Sequence, residues 1–207
     1  MFSLTDGEGE YLVRTARATI EAELGLKEPP SFVDAPDATN EKCGVFVTLN
    51  TVGVSGHSLR GCIGYPLPNM RLIEALADSA INAAFRDPRF PAVRAPEMDK
   101  IIVEVSVLTP PELIVVGSPM EYAQNVKVGS DGLIICRGAR RGLLLPQVAT
   151  EWDWDSEEFL SQCCLKAGLP PDTWLLKGTE VEKFQAIIFG EESPRGKVIR
   201  HKIGLRG

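Results

Sequence analysis

The chain has 207 residues and a formal net charge of -6; 44% of its residues are hydrophobic, 24% charged and 7% aromatic. These are the proportions of a folded globular protein, which excludes disorder throughout, a collagen-like repeat and a coiled coil. The acidic balance counts against a protein that holds nucleic acid through bulk positive charge.

Thr5 and Glu8 have capping-box spacing, so each side chain can satisfy a backbone donor of the other at a helix start. Leu12, Val13, Ala16, Ile20 and Leu24 follow at three- and four-residue steps, and Gly25 can close the helix in a left-handed cap. Residues 27–42 carry three prolines and several Asp and Asn residues, so they read as a surface loop. Residues 44–49 form an apolar run rich in Val and Phe, a buried strand, and residues 59–64 are a second strand candidate. After Asn69 a helix carries Ile73, Leu76, Ala77, Ala80 and Ala84 on one stripe. It must stop near Arg86, because Asp87 precedes Pro88 and is pushed out of the helical region. Residues 101–108 alternate as a strand, with Ile101, Val103, Val105 and Val107 on one side and Ile102, Glu104, Ser106 and Leu108 on the other.

In the second half, residues 126–128, a turn at 129–132 and residues 133–136 read as a hairpin, and 143–145 as a further strand. Asp155 and Glu158 form a second capping-box pair, opening a helix with Phe159, Leu160, Cys163 and Ala167 inward and Gly168 at its end. Residues 183–189 read as a closing strand. Hairpin-length links among several strands favour a mostly antiparallel α+β fold over a doubly wound sheet. The length fits one large domain, or one plus a lobe, over residues 1–193. Residues 194–207 hold Arg195, Lys197, Arg200, Lys202 and Arg206 and no acidic residue, and read as a solvated basic tail.

Five cysteines without regular spacing argue against a secreted disulfide framework, and no segment approaches the roughly 18 apolar residues of a membrane span. The N-terminus lacks the apolar core of a signal peptide, so a soluble cytoplasmic protein with no membrane association is expected. With His57 and His201 as the only histidines and no CxxC or HExxH, no metal site is predicted. There is no GxSxG elbow and neither common nucleotide-binding glycine loop, and no cofactor is predicted.

One constellation remains. On a regular strand Arg60 and Cys62 project from the same face, where the guanidinium would favour the thiolate, the form that acts as nucleophile or redox centre. Gly61 and Gly64 lack side chains, so a substrate can approach the backbone there, and His57 can supply a base if its loop folds back. Arg60 in an apolar stretch needs a partner, and Glu104 and Asp87 are the candidates, with Arg89 beside Asp87. The blander readings are a buried structural cysteine, glycines at a bulge, a strand Glu facing water and a turn Asp. Arg137, Arg140 and Arg141 can bind an anion or form a solvated hairpin tip.

Leu59-Arg60-Gly61-Cys62-Ile63-Gly64 resembles the signature of the AMMECR family. The resemblance runs through residues 44–49, 87–91, 103–108, 142–148 and 166–170, in order, and leaves out the loop near Pro29 and the basic tail. It implies an α+β fold with a barrel-like or curved sheet, flanking helices and a small subdomain, and a functional site at the hexapeptide. It also implies a place beside Memo-like and radical S-adenosylmethionine proteins, although the family's activity is not established. The expected site has Cys62, Glu104 and Asp87 as reacting groups and Arg60, Gly61, Gly64, Arg89, His57 and Gln147 as binding residues. Two readings follow: an enzyme or enzyme subunit using Cys62, or a non-catalytic adaptor that docks a protein, nucleotide or RNA. Small-molecule or nucleotide ligands fit either, RNA ranks low on charge, and a homo-oligomer is left open.

Overall fold

The computed structural model describes residues 2–53 and 56–201. In chain order its main elements begin with α1 (Asp6–Glu23), β1 (Gly44–Gly53), β2 (Gly56–Tyr65), α2 (Leu72–Phe85), β3 (Ile101–Leu108) and β4 (Glu112–Leu113). They continue with α3 (Tyr122–Asn125), β5 (Asp131–Arg137), β6 (Arg140–Leu144), α4 (Pro146–Glu151), α5 (Ser156–Lys166), β7 (Glu180–Glu191) and β8 (Val198–His201). The chain divides into two compact units, Met1–Pro110 with Ile187–His201, and Pro111–Ala186. Every strand pairing given for either unit is antiparallel, so the fold is the α+β type expected.

In the first unit β1 lies between β2 and β3, with the last part of β7 beyond β3 and β8 paired to it. The Thr5–Glu8 box forms in both directions, and Gly25 adopts a φ of 70° after α1. Leu12, Val13, Ala16 and Ile20 pack with Leu72, Leu76 and Ala80 of α2 against Val45, Val47, Leu49, Val103 and Val105. Tyr65 donates to Asp78, tying β2 to α2.

A buried charged cluster, Arg17 with Glu191 and Glu21, lies within this apolar layer. Arg17 of α1 donates to Glu191 through Nε at 2.7 Å and Nη2 at 2.5 Å, and also to the carbonyls of Met98 and Ile101. Glu191 accepts from the backbone N–H of Val103 at 3.1 Å, and its side chain is fully buried. The segment read as a solvated basic tail is in part built into this unit. Residues 198–201 are β8, Arg195 pairs with Glu21 and Asp99, and Arg200 pairs with Asp6 and lies 4.7 Å from the Phe189 ring centroid. Lys202 and Arg206 lie outside the described residues.

In the second unit the order is β6, β5, the first part of β7, then β4. Leu133, Ile135 and Val181 pack against Phe159, Leu160, Cys163 and Cys164 of α5. The hairpin falls elsewhere than predicted: β5 turns into β6 through residues 138 and 139, with Arg137 opposite Arg140 and Gly138 at a φ of 60°. A two-residue turn with positive φ first matches strand twist, whereas residues 127–130 form only the approach to β5. The second capping box is one-sided. Asp155 accepts from the N–H of Glu158 at 2.8 Å, but the Glu158 carboxylate is drawn along the helix to Gln162. The three hairpin arginines are committed: Arg137 to Lys177 and Thr179, Arg140 to the Gly168 carbonyl and Arg141 to Glu182. Among the described residues, no helix is long and apolar enough to cross a membrane.

Candidate functional site

Directly opposed residues in a ladder share a face. Val45, Val47 and Leu49 are therefore joined on the helix-covered face by Tyr65, Ile63 and Gly61, and the opposite face carries the row Cys62, Thr48, Glu104 across β2, β1 and β3. This row is the centre of the site. The Thr48 hydroxyl donates to the Cys62 sulfur at 3.2 Å, and Cys62 is half-buried.

The bulge in this hairpin decides where Arg60 goes. Leu49 pairs with Gly61 and Asn50 with Leu59, which leaves Arg60 as an extra residue and breaks the alternation expected to align it with Cys62. Its guanidinium instead pairs with Glu97, at 2.8 Å and 3.2 Å, with its carbon 6.0 Å from the centroid of Phe90. Arg60 Nη1 is buried without a hydrogen-bond partner. The hydrogen bonds from Arg60 hold the Glu97 carboxyl below its usual range.

Arg89 takes the position expected of Arg60. Asp87, read as a turn residue or a partner for Arg60, holds Arg89 in a fork through Nε at 2.9 Å and Nη2 at 2.6 Å. The same carboxylate accepts the backbone N–H of Cys62 at 2.9 Å, while Arg89 Nη2 donates to the Cys62 carbonyl at 3.1 Å. The pair thus mimics a neighbouring strand at Cys62, capping the edge of β2 and fixing the backbone that carries the thiol. Arg89 is held protonated above its usual range, first by its hydrogen bond to Asp87 and to a lesser degree by the Cys62 side chain.

The hydrogen bond from Arg89, with those from the Cys62 and Arg89 backbone, holds Asp87 well below the ordinary carboxylate range despite its burial. Asp87 is therefore a poor proton acceptor. A carboxyl group with a depressed folded pKa adds stability above its unfolded pKa of about 4, and that stability is lost as pH falls through the folded value. Asp87→Asn should therefore cost about 2 kcal/mol at neutral pH. The two proteins should converge in acid, as read by urea unfolding across pH; a constant difference down to strong acid would refute the assignment.

The remaining predicted residues divide clearly. A Cβ at Gly61 would lie 2.1 Å from the Ala83 carbonyl of α2, and one at Gly64 2.1 Å from the Val45 carbonyl. Both glycines are required by the protein's own backbone, where open approach by a substrate was expected. His57 is exposed opposite Val52, five residues along the hairpin from Cys62, about 15 Å at strand rise, and is not brought to the sulfur. Gln147 lies on α4 of the second unit. Thr48, Glu97 and Phe90 were not singled out from the sequence. Thr48 alone had a signal, as a hydroxyl one step out of phase with Val45, Val47 and Leu49.

The other cysteines are placed differently. Burial pushes the thiols of Cys43 and Cys163 up to about 12, and raises those of Cys136 and Cys164.

The sequence profile of the AMMECR1 family matches residues 13–189. The protein MJ0810 of Methanocaldococcus jannaschii is 55% identical over 200 residues, 97% of this chain and 98% of that protein. The protein PF1979 of Pyrococcus furiosus is 56% identical over 97% of this chain and 96% of its own length. The crystal structure of the uncharacterised protein PH0010 from Pyrococcus horikoshii superimposes with a TM-score of 0.78 at 53% identity, covering 97% of this chain and 99% of that one.

Proposed function

The chain belongs to the AMMECR1 family, and on that premise we propose that it is an enzyme or enzyme subunit whose reacting group is the Cys62 thiolate. The observation that carries this reading is the Thr48 hydroxyl on the Cys62 sulfur at 3.2 Å, with Arg89 on the adjoining side. A hydroxyl donor and a guanidinium both favour the charged form of a thiol. Asp87 and Arg89 act as positioning residues, because their hydrogen bonds go to the backbone of Cys62. Proton removal falls to Glu104, aligned with Thr48 across the ladder, so that the Thr48 hydroxyl can pass the proton from sulfur to carboxylate. As a subunit, the protein would work with the Memo-like and radical S-adenosylmethionine proteins that the family resemblance implies. The filled glycine positions and the capped edge of β2 speak against the docking-groove alternative.

Site-resolved alkylation by iodoacetamide tests this. The sulfur–carbon bond forms as iodide leaves, so the rate follows the thiolate fraction. Cys62 should react at neutral pH at least tenfold faster than Cys136, the other half-buried thiol, whose pKa burial raises. Thr48→Val and Arg89→Ala should each slow the alkylation of Cys62 at neutral pH. Equal rates for Cys62 and Cys136 in the folded protein, or a Cys62 rate unmoved by both substitutions, would sink the reading.

A further inference from the structure

Away from the cysteine, the second unit presents an aromatic feature that this chemistry does not use. Trp152 is 69% exposed and stacks on half-buried Trp154, with ring centroids 6.1 Å apart and planes 16° from parallel. The backbone beneath the stack is closed by a helix cap. Trp154 donates to the Ala149 carbonyl and Asp153 to that of Thr150, closing α4 in a Schellman cap whose left-handed position, φ 54°, is Asp153. A non-glycine residue there costs free energy, so the backbone that carries the two indoles holds a conformation the chain does not adopt freely. Trp154 flanks the Trp152 ring in an offset stack, and most of Trp152 is open to solvent.

The charge of the segment that carries this ring has one sign. Residues 151–158 contain five carboxylates and no basic side chain. Asp155 caps α5 and Glu158 binds Gln162, but the exposed Glu151, Asp153 and Glu157 form no side-chain hydrogen bond or ion pair among the described residues. An exposed indole face attracts cations through its quadrupole, arginine most often, and neighbouring carboxylates reinforce that preference. The same carboxylates repel the phosphates of a nucleic acid or of an anionic lipid surface. Exposed tryptophans are also among the residues that most often anchor protein interfaces.

We propose that the Trp152–Trp154 stack is a docking site for an arginine-bearing basic segment of a partner protein, the guanidinium resting on Trp152 between Glu151, Asp153 and Glu157. The test uses the full chain and fluorescence anisotropy of a short labelled arginine-rich peptide, with length-matched glutamate-rich and glycine–serine peptides as controls. The arginine peptide alone should bind, weakening steeply as salt is added. Trp152→Ala should weaken it roughly tenfold, and Trp152→Phe should restore part of the loss. The Glu151→Gln, Glu157→Gln double variant should reduce the salt dependence. These side chains are exposed, so circular dichroism should show each variant folded. Binding unaffected by Trp152→Ala, or equal binding of the glycine–serine peptide, would overturn the proposal. So would self-association abolished by Trp152→Ala, which would make the occupant a second copy.

Discussion

Glu191→Ala is expected to remove about 4 kcal/mol of stability, lowering the melting temperature by on the order of 10 °C. The carboxylate is fully buried and receives Arg17 through two hydrogen bonds, so its loss leaves the buried guanidinium with only Glu21, 3.7 Å away, as a counter-charge. The Val103 N–H loses its acceptor in the same step. An orphaned buried charge costs far more than the intact pair contributes, because desolvation is no longer offset. Arg17→Met combined with Glu191→Leu should therefore be less damaging than Glu191→Ala alone. Recovery should remain partial, since Val103 N–H and the carbonyls of Met98 and Ile101 stay unpaired. Urea unfolding of the three proteins decides it: a single-variant loss below about 1 kcal/mol would mean that water reaches the arginine.

The second large effect is at Gly61. An added methyl would sit 2.1 Å from the Ala83 carbonyl, a backbone atom near the end of α2 that cannot rotate away. Gly61→Ala must push α2 from β2, and we expect a loss of about 3 kcal/mol or failure to accumulate as folded protein. Gly7→Ala is the matched control. It adds the same methyl in α1, where nothing lies within 4 Å, and should stabilise slightly through helix propensity. Thermal melts of the pair should move in opposite directions; a neutral Gly61→Ala would show that the hexapeptide glycine is not there for packing.

Legibility differed by level. Helix α1 could be read almost entirely, because its cap and its stripe are local and reinforce each other. The alternation of β3 placed Glu104 opposite the valines, and the structure keeps it there. What failed depended on register. Glycines at a bulge were one reading of this segment, and the bulge, beside Gly61, exchanged the expected Arg60–Cys62 alignment for contacts built on Arg89. The hairpin of the second unit was misplaced because Gly-Ser-Asp-Gly at 129–132 is as good a turn signal as Gly138-Ala139, and strand pairing alone separates them. Arg17 and Glu191 lie 174 residues apart, so neither could announce the other. Thr48 was hidden for the same reason: its place on the sulfur is a fact of the ladder between β1 and β2.

The return of residues 187–201 to the first unit has a consequence for biosynthesis. Arg17 leaves the ribosome long before Glu191 exists to neutralise it, and the whole of Pro111–Ala186 is translated in between. The intervening unit has its own apolar core and can condense during elongation, whereas the N-terminal portion must wait for the carboxylate that hydrogen-bonds Arg17, with Glu21 its ion-pair partner until then. Maturation of the unit that carries Cys62 is thereby timed to the final stretch of translation.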